Sequence, residues 1–320
     1  MAERLLKLLC FVLTACLGNA WAQDYPARPV KIIVPYAAGG VPDVLTRVLG
    51  QRLSEALSEQ FLVENKPGAG GISAMMAVVN APPDGYTLIL ADAAQTAANA
   101  YLFNNLPYDT LKDLVPISLV GTSSQYVAGS PQFTTFNELV AFAKANPGKL
   151  SYGSAGVGSV HHIGMESIKS ALGLDLLHVP YKGSGQSVPA FVAGEVQVVF
   201  ASLPALLAHV KAGKAKLLAV TSPKRSSQTP DVPAVSEFIP GYDFVTGMGL
   251  LGPVGTPPAI IARLTGEVAK VMQKPDLAAR LVGLGIEAVG GTPEAYAALI
   301  KSDLAKYSIA VKISGAKATN

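Results

Sequence analysis

Two short segments of small residues have the composition of anion-binding turns. They cover residues 36–43 and 154–159, and each follows a β-rich run and leads into a run with helical spacing. A strand that turns into a helix in this way exposes free backbone N–H groups, and the helix dipole attracts an anion there. Two such turns facing each other would hold one carboxylated ligand, with serine hydroxyls as further donors. The residues predicted to contact the ligand in the turns are Tyr36, Ala38, Gly39, Gly40, Asp43, Ser154, Ala155, Gly156 and Ser159.

The alternative for either turn alone is that its glycines only permit a tight connection between strand and helix. Ligands of open α/β sheets bind at the carboxyl ends of the strands, where both turns should lie, and this favours binding. Asp92 and Gln95 follow a predicted strand over residues 87–90 and should lie at the same sheet end. Gln95 can donate to a ligand oxygen or accept from an ammonium group. Asp92 suits a ligand contact or a helix cap equally well.

A third segment, residues 181–185, follows another predicted strand and should form the rim of the site. Lys182 is the only cation in that segment. The alternative is that Lys182 is an ordinary solvated lysine.

A histidine pair suggests metal binding or catalysis, but its surroundings do not support either. His162 and Glu166 are four residues apart on one predicted helix, close enough to pair. His161 shares a stripe with apolar residues and should be packed in the core. A zinc site needs three or four protein ligands at recognisable spacing, and His178 and His209 are isolated in the pattern. We therefore predict no metal and no cofactor.

Enzyme signatures are missing from the chain. There is no G-x-S-x-G elbow, no phosphate-binding G-x-x-x-x-G-K-[ST] loop, and no complete G-x-G-x-x-G. A hydrolase would need Ser154 or Ser159 as nucleophile with His161 or His162 as base, and nothing in the sequence orients that base. We predict that the protein is not an enzyme.

The predicted elements that position the turns alternate between strand and helix. A strand over residues 31–36 precedes a helix beginning near Pro42, and a strand over residues 149–154 precedes a second helix. This alternation predicts an α/β fold with parallel strands. The last part of the chain is predicted to be helical, with Thr256 and Thr292 as N-caps.

Composition limits the class of protein. The chain has 320 residues, 50% of them hydrophobic and 15% charged, with a mean hydropathy of +0.36. That length suits about two domains, and the apolar content excludes disorder, collagen and coiled coil. A net charge of +3 is too small to indicate a nucleic-acid binder.

The first 22 residues have the pattern of a secretory signal peptide. Arg4 and Lys7 precede a mostly apolar run over residues 8–17, and Ala20-Trp21-Ala22 offers a small-x-small cleavage site. The run is too short for a transmembrane anchor. We expect export to an oxidising compartment, with no cysteine left in the chain after cleavage at Ala22. The alternative is a lipobox over residues 13–16, with cleavage before Cys16 and lipid attached to its thiol.

Several longer motifs resemble the Bug (TctC-type) periplasmic solute receptors of tripartite tricarboxylate transporters. The resemblance covers essentially the whole chain after the signal peptide. The motifs are Tyr25-Pro26-x-Arg28-Pro29, Ile33-Val34-Pro35-Tyr36-Ala37-Ala38-Gly39-Gly40, Glu64-Asn65-Lys66-Pro67-Gly68-Ala69-Gly70-Gly71, Leu106-Pro107-Tyr108-Asp109, His178-Val179-Pro180-Tyr181-Lys182-Gly183 and Gly255-Thr256-Pro257.

The resemblance implies a two-domain periplasmic-binding-protein (Venus-flytrap) fold, each domain a mostly parallel sheet flanked by helices. The implied first domain combines residues 23–121 and 242–320, and the second covers residues 122–241. It also implies that backbone groups, hydroxyls and waters of the two turns hold the ligand, with His162 matching the family's histidine. The chain departs from the family pattern at Val41-Pro42, Ala201-Ser202 and Thr246-Gly247-Met248, which makes the implied cleft less polar or less aromatic.

The predicted function is therefore an exported receptor that binds a small organic carboxylate and delivers it to inner-membrane transporter subunits. The main alternative is a ligand-loaded component that acts on a sensor kinase. The Ser/His hydrolase is the weaker alternative.

Overall fold

We describe a computed structural model in which residues 25–181 and 183–315 are placed. The predicted signal peptide and Lys182 lie outside the described residues. The strands form two sheets, one of six strands and one of five. Helices flank both sheets, which confirms the predicted α/β fold class.

The first sheet consists of β1 (Val30–Val34), β2 (Phe61–Asn65), β3 (Thr87–Asp92), β4 (Leu114–Ser123), β10 (Thr246–Pro253) and β11 (Glu287–Ala288). Their order across the sheet is β11-β4-β10-β3-β1-β2. Central strand β1 pairs in parallel with β2 and β3, while β10 is antiparallel to both β3 and β4. The short β11 runs antiparallel to β4.

The second sheet consists of β5 (Gln125–Gly129), β6 (Leu150–Ser154), β7 (Leu176–Pro180), β8 (Val198–Ser202) and β9 (Lys216–Val220). Their order across the sheet is β7-β6-β8-β5-β9. Here β6 is parallel to β7 and β8, and β5 is antiparallel to β8 and β9.

Both sheets are mixed because the chain passes directly between them. Only Ser124 separates β4 from β5, so no crossover helix restores a parallel direction. Strand β10 then carries the chain back into the first sheet. Most strands of each sheet still run in one direction, with β10 and β11 reversed in the first sheet and β5 in the second.

The predicted helix after each turn and the predicted helical last part of the chain are present, whereas the helices over residues 99–102, 110–113 and 136–145 were not predicted. The helices are α1 (Val41–Leu57), α2 (Ile72–Val79), α3 (Asn99–Leu102), α4 (Thr110–Asp113), α5 (Phe136–Ala145), α6 (Val160–Leu172), α7 (Ser184–Val192), α8 (Leu203–Lys211), α9 (Pro258–Met272), α10 (Pro275–Gly283) and α11 (Pro293–Ser314). A π-helical turn, Ala94–Ala98, leads into α3, and short 3-10 turns cover Ala69–Gly71 and Val235–Glu237.

One of the two predicted N-caps is correct. The hydroxyl oxygen of Thr292 accepts a hydrogen bond from the Ala295 amide at 3.2 Å and caps α11. Thr256 does not cap α9, because that helix begins at Pro258 and Pro257 occupies the cap position. The Thr256 hydroxyl instead donates to the Pro253 carbonyl at 2.7 Å.

Helix α11 connects the cores of the two sheets. Its buried Tyr307, Ala310 and Val311 belong to the same apolar cluster as Ile163 of α6 and Phe200 of β8. The π-helical turn and α3 contribute Ala97, Ala98 and Leu102 to that cluster. The carboxyl end of β3 is therefore packed close to α6, which follows the second predicted turn.

Candidate functional site

The first predicted turn connects β1 to α1 and leaves several backbone donors unused. Ala37, Ala38, Gly39 and Gly40 are exposed. Gly40 occupies the N-cap of α1 without any side-chain cap. Within residues 25–181 and 183–315, no group accepts a hydrogen bond from the amides of Ala37, Ala38 or Gly40. Unused amides at a helix N-terminus are the donors that an anion requires.

Asp43 is buried beneath this turn, and its carboxylate oxygens are already occupied. The Gly39 amide donates to Oδ2 at 2.8 Å, and the Asn65 amide donates to Oδ1 at 2.8 Å. The Arg47 guanidinium contacts both oxygens, at 3.1 Å and 3.0 Å. Burial alone would raise the pKa of Asp43, but these hydrogen bonds outweigh it and hold the pKa below its usual value.

These contacts bear on two of the predicted ligand contacts, Gly39 and Asp43. The Gly39 amide was predicted to be free for a ligand, but Asp43 takes it. Gly39 has φ +90°, a conformation that glycine adopts easily, and this allows its N–H to point back at the helix. Asp43 therefore holds the backbone of the turn in place through the Gly39 amide. Arg47 neutralises the charge of Asp43 next to the exposed amides.

Tyr36, Asp92 and Gln95 lie together at the carboxyl end of the first sheet. The Tyr36 hydroxyl donates to Asp92 Oδ2 at 2.7 Å and accepts from Gln95 Nε2 at 3.0 Å. The predicted placement of Asp92 and Gln95 at this sheet end is confirmed. Burial, followed by the nearby Asp92, raises the pKa of Tyr36 well above its usual value.

Asp92 also holds the start of the π-helical turn. Its Oδ1 accepts from the Ala94 amide at 2.8 Å, a local contact at the start of this turn, and the ligand contact of Asp92 stays a prediction. Burial raises the pKa of Asp92, and the hydrogen bonds from Tyr36 and Ala94 offset part of that rise. Both carboxylate oxygens have partners, as do those of Asp43.

The second predicted turn connects β6 to α6, and most of its polar groups form hydrogen bonds within the turn or with the start of α6. The Gly156 amide donates to Ser154 Oγ at 3.1 Å, and the Gly158 amide donates to His162 Nδ1 at 3.0 Å. Ser159 Oγ donates to the Gly156 carbonyl at 2.7 Å and accepts from the His162 amide. The two serine hydroxyls were expected to face a ligand, but these contacts engage both of them in the turn.

The amides that remain available in this turn are those of Ala155 and Val157. No group in the described part of the chain accepts from either one. Val157 is 53% exposed at the tip of the turn. The unused donors thus lie at residues beside the glycines, because the glycine amides serve to hold the turn in shape.

Of the two histidines at the start of α6, one lies as predicted and the other does not pair with Glu166. Glu166 does not hydrogen-bond to His162; its Oε1 accepts from the Tyr152 hydroxyl at 2.6 Å and from Lys169 Nζ at 2.7 Å. His161 is packed as predicted, with Nε2 3.0 Å from Gln125 Oε1, and burial lowers its pKa to about 4. Among the described residues, no group of three metal-ligating side chains is present.

His178 is the residue that sequence reasoning missed. Its ring stacks on His162 with centroids 4.0 Å apart, and its Nε2 lies 2.7 Å from Ser154 Oγ. Ser154 itself is fully buried. The hydrolase pairing of Ser154 or Ser159 with His161 or His162 is not the arrangement found.

The second turn packs against the segment that follows Gln95. A Cβ added at Gly158 would lie 2.6 Å from Leu102 Cδ1, at the end of α3. No hydrogen bond within residues 25–181 and 183–315 joins the two turns directly. Two open cavities of about 410 and 430 Å³ lie elsewhere, one lined by residues 222–228 after β9 together with Tyr126 and Gly285, and one beside α4.

The sequence of this chain can now be placed among known proteins. Residues 45–315 match the tripartite tricarboxylate transporter family receptors, TctC. The chain belongs to this family. As a member of TctC, it is 33% identical to the protein BugT of Bordetella pertussis, over 98% of both chains. It is 34% identical to a protein from the tcbD-tcbE intergenic region of Pseudomonas sp. strain P51, over 95% of this chain and 92% of the relative.

Solved structures of TctC-like proteins share the fold. A protein described as a periplasmic transporter superposes with a TM-score of 0.83 at 36% identity, covering 92% of this chain and 99% of the other. The periplasmic binding protein BugD gives a TM-score of 0.80 at 31% identity over the same shares. A Rhodopseudomonas palustris protein with adipate gives 0.84 at 29% identity, again covering 92% and 99%. The malate-bound MatC of that organism gives 0.80 at 29% identity, covering 90% and 99%.

These comparisons confirm the family resemblance and the two-domain periplasmic-binding-protein fold. The matched family is one of receptors, and BugD is described as a periplasmic binding protein. Among the described residues, no helix of this TctC receptor has both the length and the hydropathy to cross a membrane.

Proposed function

We propose that this receptor captures a small organic carboxylate between two domains and delivers it to the inner-membrane subunits of a tripartite tricarboxylate-type transporter. The observation that carries the proposal is the set of unused amides in the two turns, at Ala37, Ala38 and Gly40 and at Ala155 and Val157. Similar proteins with adipate and with malate support the ligand class. The family description supports the transporter as partner.

The first turn is suited to an anion because its one buried carboxylate is neutralised. Without Arg47, the Asp43 charge would oppose a ligand carboxylate a few ångströms away. The Arg47 side chain is 51% exposed and remains paired with Asp43, so the ligand charge is met chiefly by dipoles. His162 adds a side-chain donor, since Nδ1 accepts from Gly158 and the ring proton is therefore on Nε2.

The domains that close on the ligand are residues 23–121 with 242–320, and residues 122–241. The strands of the first sheet lie before Gln125 or after Phe244, which supports this division. Thr221 joins the crossing segments: its hydroxyl accepts from the Gln125 amide at 2.9 Å and donates its O–H to the Phe244 carbonyl at 3.1 Å. Closure is by rotation about these segments, and the ligand selects the closed form.

The site of action is the periplasm, which the receptor reaches by means of the signal peptide over residues 1–22. Cleavage after Ala22 leaves a chain without cysteine, whereas lipid attachment at Cys16 would keep it at a membrane surface. The mass of the exported protein distinguishes the two.

A thermal-shift screen of the purified receptor tests the ligand class. The panel contains adipate, malate and other mono-, di- and tricarboxylates, each matched to its neutral amide. A carboxylate at a hundredfold excess over Kd should stabilise the fold by about 2.7 kcal/mol, and its amide should not. Stabilisation by amines or sugars, with none by any acid, would contradict the proposal.

A further inference from the structure

A single histidine touches two of the side chains that shape the second turn, Ser154 and His162. His178 lies on β7, directly opposite Tyr152 of β6. Its ring is stacked between Tyr152, at 4.9 Å and 20°, and His162, at 4.0 Å and 9°. Its Nε2 lies 2.7 Å from Ser154 Oγ. His178 therefore contacts a residue at the start of the turn and a residue on the helix that follows it.

Ser154 and His162 each hold one glycine amide of the turn. Ser154 Oγ accepts from Gly156, and His162 Nδ1 accepts from Gly158. Both glycines have positive φ, +122° and +78°, so the turn adopts a conformation that its sequence alone does not enforce. Two side-chain acceptors select that conformation among the many open to glycine.

The neutral state of both rings is part of the arrangement. Burial lowers the pKa of His162, and Lys169 reinforces this against the opposing effect of Glu166. Burial, His162 and Lys169 together lower the pKa of His178 to about 3. A proton on His162 Nδ1 would remove the acceptor that Gly158 uses. Two charged imidazoles 4.0 Å apart would also repel each other.

We propose that His178 is a positioning residue of the ligand site. Through Ser154 and the stacked His162 ring it fixes the backbone of the second turn, and with it the orientation of the Ala155 and Val157 amides and of His162 Nε2–H. The relevance to carboxylates rests on the proposed function, whereas the effect on the turn is independent of any ligand.

The experiment measures amide hydrogen exchange and imidazole nitrogen signals by NMR on the purified protein without ligand. His178→Ala removes both contacts, so exchange at Gly156 and Gly158 should be at least tenfold faster, and His162 should lose its single Nε2–H tautomer. His178→Phe keeps a flat ring for the stack but loses the bond to Ser154. His178→Phe should accelerate amide exchange at Gly156 but not at Gly158, and Ser154→Ala should have the same effect.

The controls separate a positioning role from general loosening. His209→Phe alters a histidine on α8, away from the turn, and should leave the amide exchange rates of Gly156 and Gly158 unchanged. The double variant His178→Phe with Ser154→Ala should exchange at Gly156 no faster than either single variant, because both act through one contact. If His178→Ala does not fold, the Phe and Ser154→Ala comparison decides the question.

Unchanged Gly156 exchange in His178→Phe, or unchanged His162 signals in a folded His178→Ala, would overturn the proposal. Calorimetry with malate and adipate on the same variants then separates the two hypotheses. Wild-type protein that binds no acid would count against the proposed function alone, while the exchange data would still decide the role of His178. If wild type binds, His178→Ala should weaken the affinity at least fivefold.

Discussion

Replacing Gly40 with proline should weaken carboxylate binding by roughly 10- to 150-fold, because it removes one charge-assisted hydrogen bond of about 1.5–3 kcal/mol. The Gly40 amide has no acceptor in the described part of the chain and lies at the N-terminus of α1. Its φ of −75° is close to the value that proline imposes. The variant therefore deletes a donor with little change in backbone conformation.

Gly40→Ala is the matched control. A Cβ at this position meets its nearest atoms only at 3.8 and 3.9 Å, which is ordinary contact, and alanine keeps the N–H. Calorimetric titration should show near wild-type affinity for alanine and the large loss for proline, with similar melting temperatures for both. Equal affinities of the two variants would show that this amide does not hold the ligand.

Asp303→Asn should stabilise the protein at pH 7.5 by about 1–3 kcal/mol. Asp303 lies on α11 with its side chain only 4% exposed and Lys306 Nζ 3.5 Å away. Burial raises its pKa to about 6, and Asp243 and Asp92 add to the rise while Lys306 opposes it. The ionised carboxylate is therefore costly in the folded state, and a neutral amide avoids that cost.

The sign of the pH dependence follows from the raised pKa. The folded protein binds this proton more tightly than the unfolded chain, so the carboxyl group favours folding below pH 4. That benefit is lost as pH rises from 3.8 toward about 6. The stability gain of Asp303→Asn should therefore be near zero at pH 4 or below and reach a plateau above pH 7.

Urea unfolding at several pH values measures this difference. Asp175→Asn, at an exposed position on the loop after α6, should give no gain at either end of the range. A gain from Asp303→Asn that did not vary with pH would contradict the electrostatic explanation. A loss at pH 7.5 would mean that the contact with Lys306 outweighs the cost of burial.

The sequence predicted the elements with clear periodicity. Strand β1 and helix α1, and strand β6 and helix α6, lie where the β-rich runs and the helical apolar spacing placed them. Strands β4, β5 and β10 were not predicted. They are almost continuously buried, and a short buried run has no alternation to distinguish strand from helix.

The site was predictable only where its contacts are local. The turns themselves are contiguous in sequence, so their composition was sufficient to find them. The residues that shape them, Asn65, Arg47 and His178, act across helices and strands. Asn65 and His178 do lie within motifs shared with the family, and that was the one available signal. The sensor-kinase alternative gains no support from the comparisons.

The most direct test is a crystal structure of the receptor with a bound acid identified by the thermal-shift screen. We predict a carboxylate oxygen within about 3 Å of amide nitrogens from both turns, drawn from Ala37, Ala38 and Gly40 on one side and Ala155 and Val157 on the other. A ligand bound in either open cavity, or a carboxylate neutralised by a lysine or arginine side chain, would contradict this account.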